Sequence, residues 1–111
     1  MHVNEKSYVE WVHKEHITIV LRDRKLKEKV ISLGGRRQFL SLLRWNIGFA
    51  STEELGNLFS SLRDSDVCFA GGPAGWPPAA IFKDLRKKGL VAGCFNEIIW
   101  RGKNEFEIWS K

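Results

Sequence analysis

Leu55, Leu58, Phe59 and Leu62 fall on one face of a helix, and the residues ahead of them are those that start one. Ser51 or Thr52 can cap its free N–H groups, while Glu53 and Glu54 suit the positive end of the helix dipole. Asp64-Ser65-Asp66 ends it. A stripe of this kind is stable only when it is buried. At 111 residues the chain is long enough for one core and too short for two. A hydrophobic content of 43% argues against disorder. No apolar run approaches the roughly 18 residues of a membrane span, and Met1 to Lys6 has no signal-like apolar stretch. Two cysteines, Cys68 and Cys94, are too few for a disulfide scaffold, and both have apolar neighbours that suggest buried thiols. A reducing cytoplasm is the expected setting.

The remaining elements follow from spacing and punctuation. Tyr8, Trp11 and Val12 predict a short amphipathic helix within Asn4 to Glu15. The β-branched run Ile17-Thr18-Ile19-Val20-Leu21 predicts a strand. Arg22 to Lys29 carries charges of both signs and reads as a solvated turn or helix face. Gly34-Gly35 breaks the chain, which sets an expected boundary between residues 1–35 and 36–111. Beyond it, Phe39, Leu40, Leu43 and Ile47 predict a helix from Arg36 to Ile47 that Gly48 stops. Pro77 and Pro78 fit only the first turn of a helix, which is expected from about Pro78 to Lys88 with Ile81, Phe82 and Leu85 inward and Gly89 as its cap. Phe95 to Arg101 and Asn104 to Trp109 flank the turn signal Gly102-Lys103 and predict a terminal hairpin.

From Arg36 onward the order is helix, extended link, helix, helix, strand, strand. Phe49-Ala50-Ser51-Thr52-Glu53-Glu54-Leu55 looks like the lead into a second helix, and Ile81-Phe82-Lys83-Asp84-Leu85-Arg86-Lys87-Lys88-Gly89-Leu90-Val91 looks like the end of a third helix and its exit to a wing. On these segments, about two-thirds of the chain resembles a winged helix-turn-helix domain. The expected fold is a single α+β domain with winged-helix-like helices, a C-terminal β-hairpin and an N-terminal helix/strand extension. Val67 to Pro77 departs from the family pattern: either it lengthens the turn between helices, or Val67–Ala70 is a strand of another α+β fold.

The resemblance implies a non-catalytic DNA-binding module, a regulator or a DNA-processing accessory factor. Lys83, Arg86, Lys87 and Lys88 would present a basic helix to duplex DNA, and Arg101 and Lys103 a basic wing. Asp84 works against this by sitting among them. The alternative is a small protein-binding inhibitor or immunity protein that neutralises a toxin or host enzyme, with Trp76 on its Gly/Pro loop as the anchor. The two readings part on charge: cations gathered free of carboxylates favour DNA, and neutralisation by Asp84, Glu97, Glu105 and Glu107 favours a protein. The N-terminal segment, outside the family pattern, offers a dimerisation element or part of a larger sheet.

Other motifs carry less. Gly71-Gly72-Pro73-Ala74-Gly75 lacks the Gly-Lys-Ser/Thr ending of a P-loop, and His13 with His16 has no fourth metal ligand in view. No nucleophile has a base and an orienting acid at motif spacing, so neither an enzyme nor a cofactor is expected.

Overall fold

The computed structural model describes residues 6–71, 77–101 and 105–111. Trp76, Lys103, most of the Gly/Pro stretch and the Gly102-Lys103 turn lie outside them. Among the described residues seven strands form one mixed sheet in the order β3-β4-β2-β1-β5-β6-β7, accompanied by three α-helices. The fold is α+β.

The first segment is a strand, not the expected helix. β1 (Tyr8–Val12) forms an antiparallel hairpin with β2 (His16–Val20), closed by the His13 N–H donating to the His16 carbonyl at 2.8 Å. The register slips between Val9 and Trp11. That bulge inserts one residue, so Val9 and Val12 share a face although they are three apart. The helix-like spacing of the apolar residues is the imprint of a bulged strand. β2 stands where the β-branched run placed it.

The second difference is larger. Arg36 to Ile47 is not a helix; it contributes β3 (Arg36–Arg37), a loop, and β4 (Arg44–Gly48). β4 pairs antiparallel with all of β2, setting Trp45 opposite Ile19 and Ile47 opposite Ile17. All four are buried in the main core. Trp45 and Ile47 alternate, as a strand requires, and burying them against β2 outweighs the helical spacing of Phe39, Leu40 and Leu43. The first helix of the winged-helix pattern is therefore not formed. Gly34-Gly35 is a turn inside the domain. It ends α1 (Lys27–Ser32), with Gly34 at φ +89° and the Gly35 N–H donating to the Val30 carbonyl at 2.8 Å. Side chains from both sides of this turn share one core.

α2 (Thr52–Asp64) buries Leu55, Leu58, Phe59 and Leu62 as the spacing predicts. Ser51 caps it, its hydroxyl accepting from the Glu54 N–H at 3.1 Å, while the Glu54 carboxylate accepts from the Ala50 N–H at 2.8 Å. Val67–Ala70 resolves as a strand: β5 (Cys68–Ala70) lies between β1 and β6 and is parallel to both. α3 (Pro77–Lys87) turns Ala79, Phe82 and Leu85 inward, with Gly89 at φ +76° beyond its end. β6 (Asn96–Trp100) and β7 (Phe106–Ser110) are the terminal antiparallel pair.

All three helices contribute to the core on one face of the sheet, where Phe59, Phe69, Phe82 and Phe95 pack ring against ring. On the opposite face a smaller cluster joins Tyr8, Val20, Cys68 and Ile98. Where α2 crosses the chain after α3, a Cβ on Gly56 would meet the Leu90 carbonyl oxygen at 2.6 Å. Gly56→Ala is therefore expected to lower stability by about 1–3 kcal/mol despite alanine's better helix propensity. A urea titration checks it, and a stabilised variant would show that α2 does not approach Leu90 so closely.

The two thiols differ. Cys68 is buried, and burial pushes its pKa up, whereas Cys94 is exposed, contrary to the expectation from its neighbours. A thiol reagent should modify one equivalent rapidly in the native protein and the second only on unfolding. Two equivalents reacting together would place Cys68 outside the core.

Candidate functional site

Of the six cations of the expected basic ridge, three have partners within the molecule. On α3, Lys88 pairs with Asp84 at 2.9 Å. The Arg86 guanidinium donates to the carbonyls of Gly93 and Lys111, at 3.0 and 2.8 Å, and stands over the Phe95 ring. It ties the helix to the end of β7. On the terminal ribbon, Arg101 pairs with Glu107 at 3.0 Å, and the same carboxylate oxygen accepts from the Trp109 indole N–H at 3.0 Å. Those two donors, Trp109 first, hold the Glu107 carboxyl below the usual carboxylate range. Glu97 is buried with Lys111 3.8 Å away. Lys87 is exposed and Lys83 half-buried, with no ion pair to either among the described residues. Lys103 and Trp76 lie outside those residues.

The positive charge sits at the other end of the sheet. Eight of the eighteen Lys and Arg residues, but only two of the thirteen acids, lie between Arg22 and Arg44, a surplus of six in a chain whose net charge is +5. The fold explains why these side chains face out. A 3-10 turn (Arg24–Leu26) is started by Asp23, whose carboxylate accepts from the Lys25 N–H at 3.0 Å, and it leads directly into α1. Leu26 and Val30 turn into the core, leaving Lys25, Lys27 and Lys29 in solvent. Arg36 and Arg37 are both exposed on the edge strand β3. Arg44 is partly neutralised by a two-pronged contact with Glu10 at 2.9 Å, which raises its already high pKa.

Within this basic end the β3–β4 loop carries Phe39, Leu40 and Leu42 at 91, 92 and 84% exposure. Its backbone is held at both ends. The Gln38 N–H donates to the Arg44 carbonyl at 2.9 Å, the Arg44 N–H to the Ser41 hydroxyl at 3.0 Å, and the Leu21 N–H to the Leu43 carbonyl at 2.7 Å. Leu40 has φ +63°, a left-handed conformation that costs a non-glycine residue about 1–2 kcal/mol. Beside the loop is a cleft of about 380 Å³ whose wall includes Arg22, Arg24, Lys27, Arg37, Leu42 and Trp45. The loop thus sets three large apolar side chains in water beside a cleft lined by several cations.

His13 and His16 stack at 4.3 Å, and burial followed by the His16 charge lowers the His13 pKa. The His13 ring lies 3.0 Å from the Thr18 hydroxyl, which donates to Asn46. Among the described residues no three His, Cys, Asp or Glu side chains come together as a metal-binding group. Nor is any helix among them long and apolar enough to cross a membrane.

The loop was hidden in the sequence because Phe39, Leu40 and Leu43 mimic a helical stripe. The charge surplus between Arg22 and Arg44 was open to simple counting, since a solvated helix face has no need of so one-sided a balance. No family model, curated protein or solved structure matches this chain.

Proposed function

We propose that this chain is a non-catalytic protein-binding module, of the kind that blocks or neutralises a partner, and that it docks through the β3–β4 loop. The observation that carries this reading is the exposure of Phe39, Leu40 and Leu42 on a hydrogen-bonded loop inside the basic end of the domain. Single exposed leucines are ordinary, but three adjoining apolar side chains on one ordered loop are the composition of an interface centre. The surrounding cations call for a partner with acidic residues around an apolar cleft. Such a charge field speeds encounter and rejects basic surfaces.

The duplex-DNA reading assigns the work to α3 and the β6–β7 ribbon. Arg86, Lys88 and Arg101 have intramolecular partners, and Asp84 and Glu107 neutralise the surface between them. By the charge criterion, that arrangement favours a protein partner over a polyanion.

A photo-crosslinking amino acid placed in living cells at Phe39 or Leu42, and in parallel at Lys83 or Lys87, separates the readings. A discrete, protease-sensitive adduct from positions 39 and 42 is expected. A nuclease-sensitive adduct from positions 83 and 87, or a solvent-extractable lipid adduct from 39 and 42, would overturn the proposal. So would the absence of any adduct at the loop.

A further inference from the structure

A second cleft, of about 570 Å³, opens at the end of the sheet where β2 finishes. Among the described residues it shares only the Arg22-Asp23-Arg24 segment with the cleft beside the β3–β4 loop. The strand pairing makes it. β1 runs antiparallel to β2 and parallel to β5, with Tyr8 opposite both Val20 and Cys68. The residues just beyond these partners, Lys6-Ser7, Arg22 to Leu26 and Asp66, therefore meet at one place.

Ser7 is on the cleft wall although it is only 2% exposed. Its hydroxyl oxygen accepts the Arg22 N–H at 2.9 Å and the Asp23 N–H at 3.1 Å. Both lone pairs are thus used, and the hydroxyl proton has no acceptor among the described residues. A buried donor left over in this way points to an acceptor that the chain does not supply. The cations say of what kind. Lys6, Arg24 and Lys25 line the same cleft, and none of them has an ion pair among the described residues. Arg22 is on the wall too, but it has interactions of its own and is not counted. Two acids are present. Asp23 turns a carboxylate oxygen to the Lys25 N–H at 3.0 Å, while Asp66 is exposed on a left-handed backbone at φ +64°.

We propose that this cleft binds a small phosphomonoester, whose phosphoryl oxygens take the Ser7 hydroxyl proton and the charge of Lys6, Arg24 and Lys25. A phosphoryl group carries three strong acceptor oxygens and nearly two negative charges, which matches one neutral donor and three cations. The cleft falls in the usual size range for small-molecule sites and exceeds what a bare phosphate fills. Asp66 gives the rest of that space its character. It accepts from hydroxyls on the organic part of an ester and repels an anion that has none, so it selects the ester over the inorganic ion. The inference does not depend on what the β3–β4 loop binds.

Titration of the isotope-labelled full chain with inorganic phosphate and with glycerol phosphate, followed by amide shifts, tests it. Saturable shifts are expected at Ser7, Asp66 and Arg22 to Leu26, with a Kd of about 1 mM or below for glycerol phosphate. Inorganic phosphate should bind more weakly at the same amides, and glycerol not at all. Arg24→Gln with Lys25→Gln, both at exposed positions, should keep the circular dichroism and weaken both anions about tenfold or more. Ser7→Ala should weaken them about tenfold. It also deprives two backbone N–H groups of their acceptor, so the glutamine pair decides the matter if that variant misfolds. Asp66→Asn, which tolerates the left-handed backbone, should tighten inorganic phosphate about threefold or more. Serines at Phe39, Leu40 and Leu42 should leave both affinities unchanged. No saturation by about 10 mM, shifts spread equally over Arg36, Arg37 and Lys87, or binding indifferent to the glutamine pair would overturn the assignment. So would glycerol phosphate binding more weakly than inorganic phosphate.

Discussion

Phe82→Ala will lower the stability of the domain by about 3–5 kcal/mol, and with it the melting temperature by about 12–30 °C. The Phe82 ring is fully buried, with centroids of Phe95, Phe69 and Phe59 at 4.3, 5.0 and 5.8 Å. Its three neighbours belong to parts that cannot follow it inward. Phe69 is fixed in β5 between two parallel partners, Phe59 is on the capped helix α2, and Phe95 leads into β6. The space left by the ring therefore stays largely open, and the cavity adds to the lost transfer energy. Urea unfolding should show a lower midpoint with an unchanged slope, the sign of altered stability without an altered denatured state. A loss below about 1 kcal/mol would mean that α3 does not close over this face of the sheet.

Where sequence periodicity and buried periodicity coincide, the elements were legible. α2 and α3 each have a start signal, an inward stripe and a stop, and the structure buries Leu55, Leu58, Phe59, Leu62, Phe82 and Leu85 as their spacing requires. The hairpin of β6 and β7 followed from aromatic and β-branched runs. The segments that differ share one cause: a local apolar pattern is compatible with more than one period. A bulge converts alternation into a spacing of three, so β1 looked helical. In the segment from Arg36 to Ile47, only Trp45 and Ile47 enter the core, while Phe39 and Leu40 belong to a loop whose exposure no propensity could reveal. Once that segment is strand, β2 has a second partner and the N-terminal hairpin moves to the middle of the sheet. The candidate site shifts with it. Net charge had pointed to a basic molecule, but the intramolecular partners of Arg86, Lys88 and Arg101 depend on contacts across the fold that spacing on a single helix does not contain.

Serine at Phe39, Leu40 and Leu42 together will leave the fold intact and remove the anchor. None of the three packs into either core cluster, so each change should alter stability by no more than about 0.5 kcal/mol. Leu43 is left in place because its carbonyl receives the Leu21 N–H that ties the loop to β2. On an apolar column the variant should elute well ahead of the wild type. Affinity for the protein captured through position 39 should fall about a hundredfold or more, since one anchor side chain in the centre of an interface is commonly worth about 2 kcal/mol and three are lost at once. Arg37→Glu should act differently. It reverses a charge beside the loop and is expected to slow association, by an amount that shrinks as salt is raised, while dissociation changes little. If the serine variant binds as tightly as the wild type and only the charge reversal matters, the cations alone hold the partner and the apolar loop has no part in it.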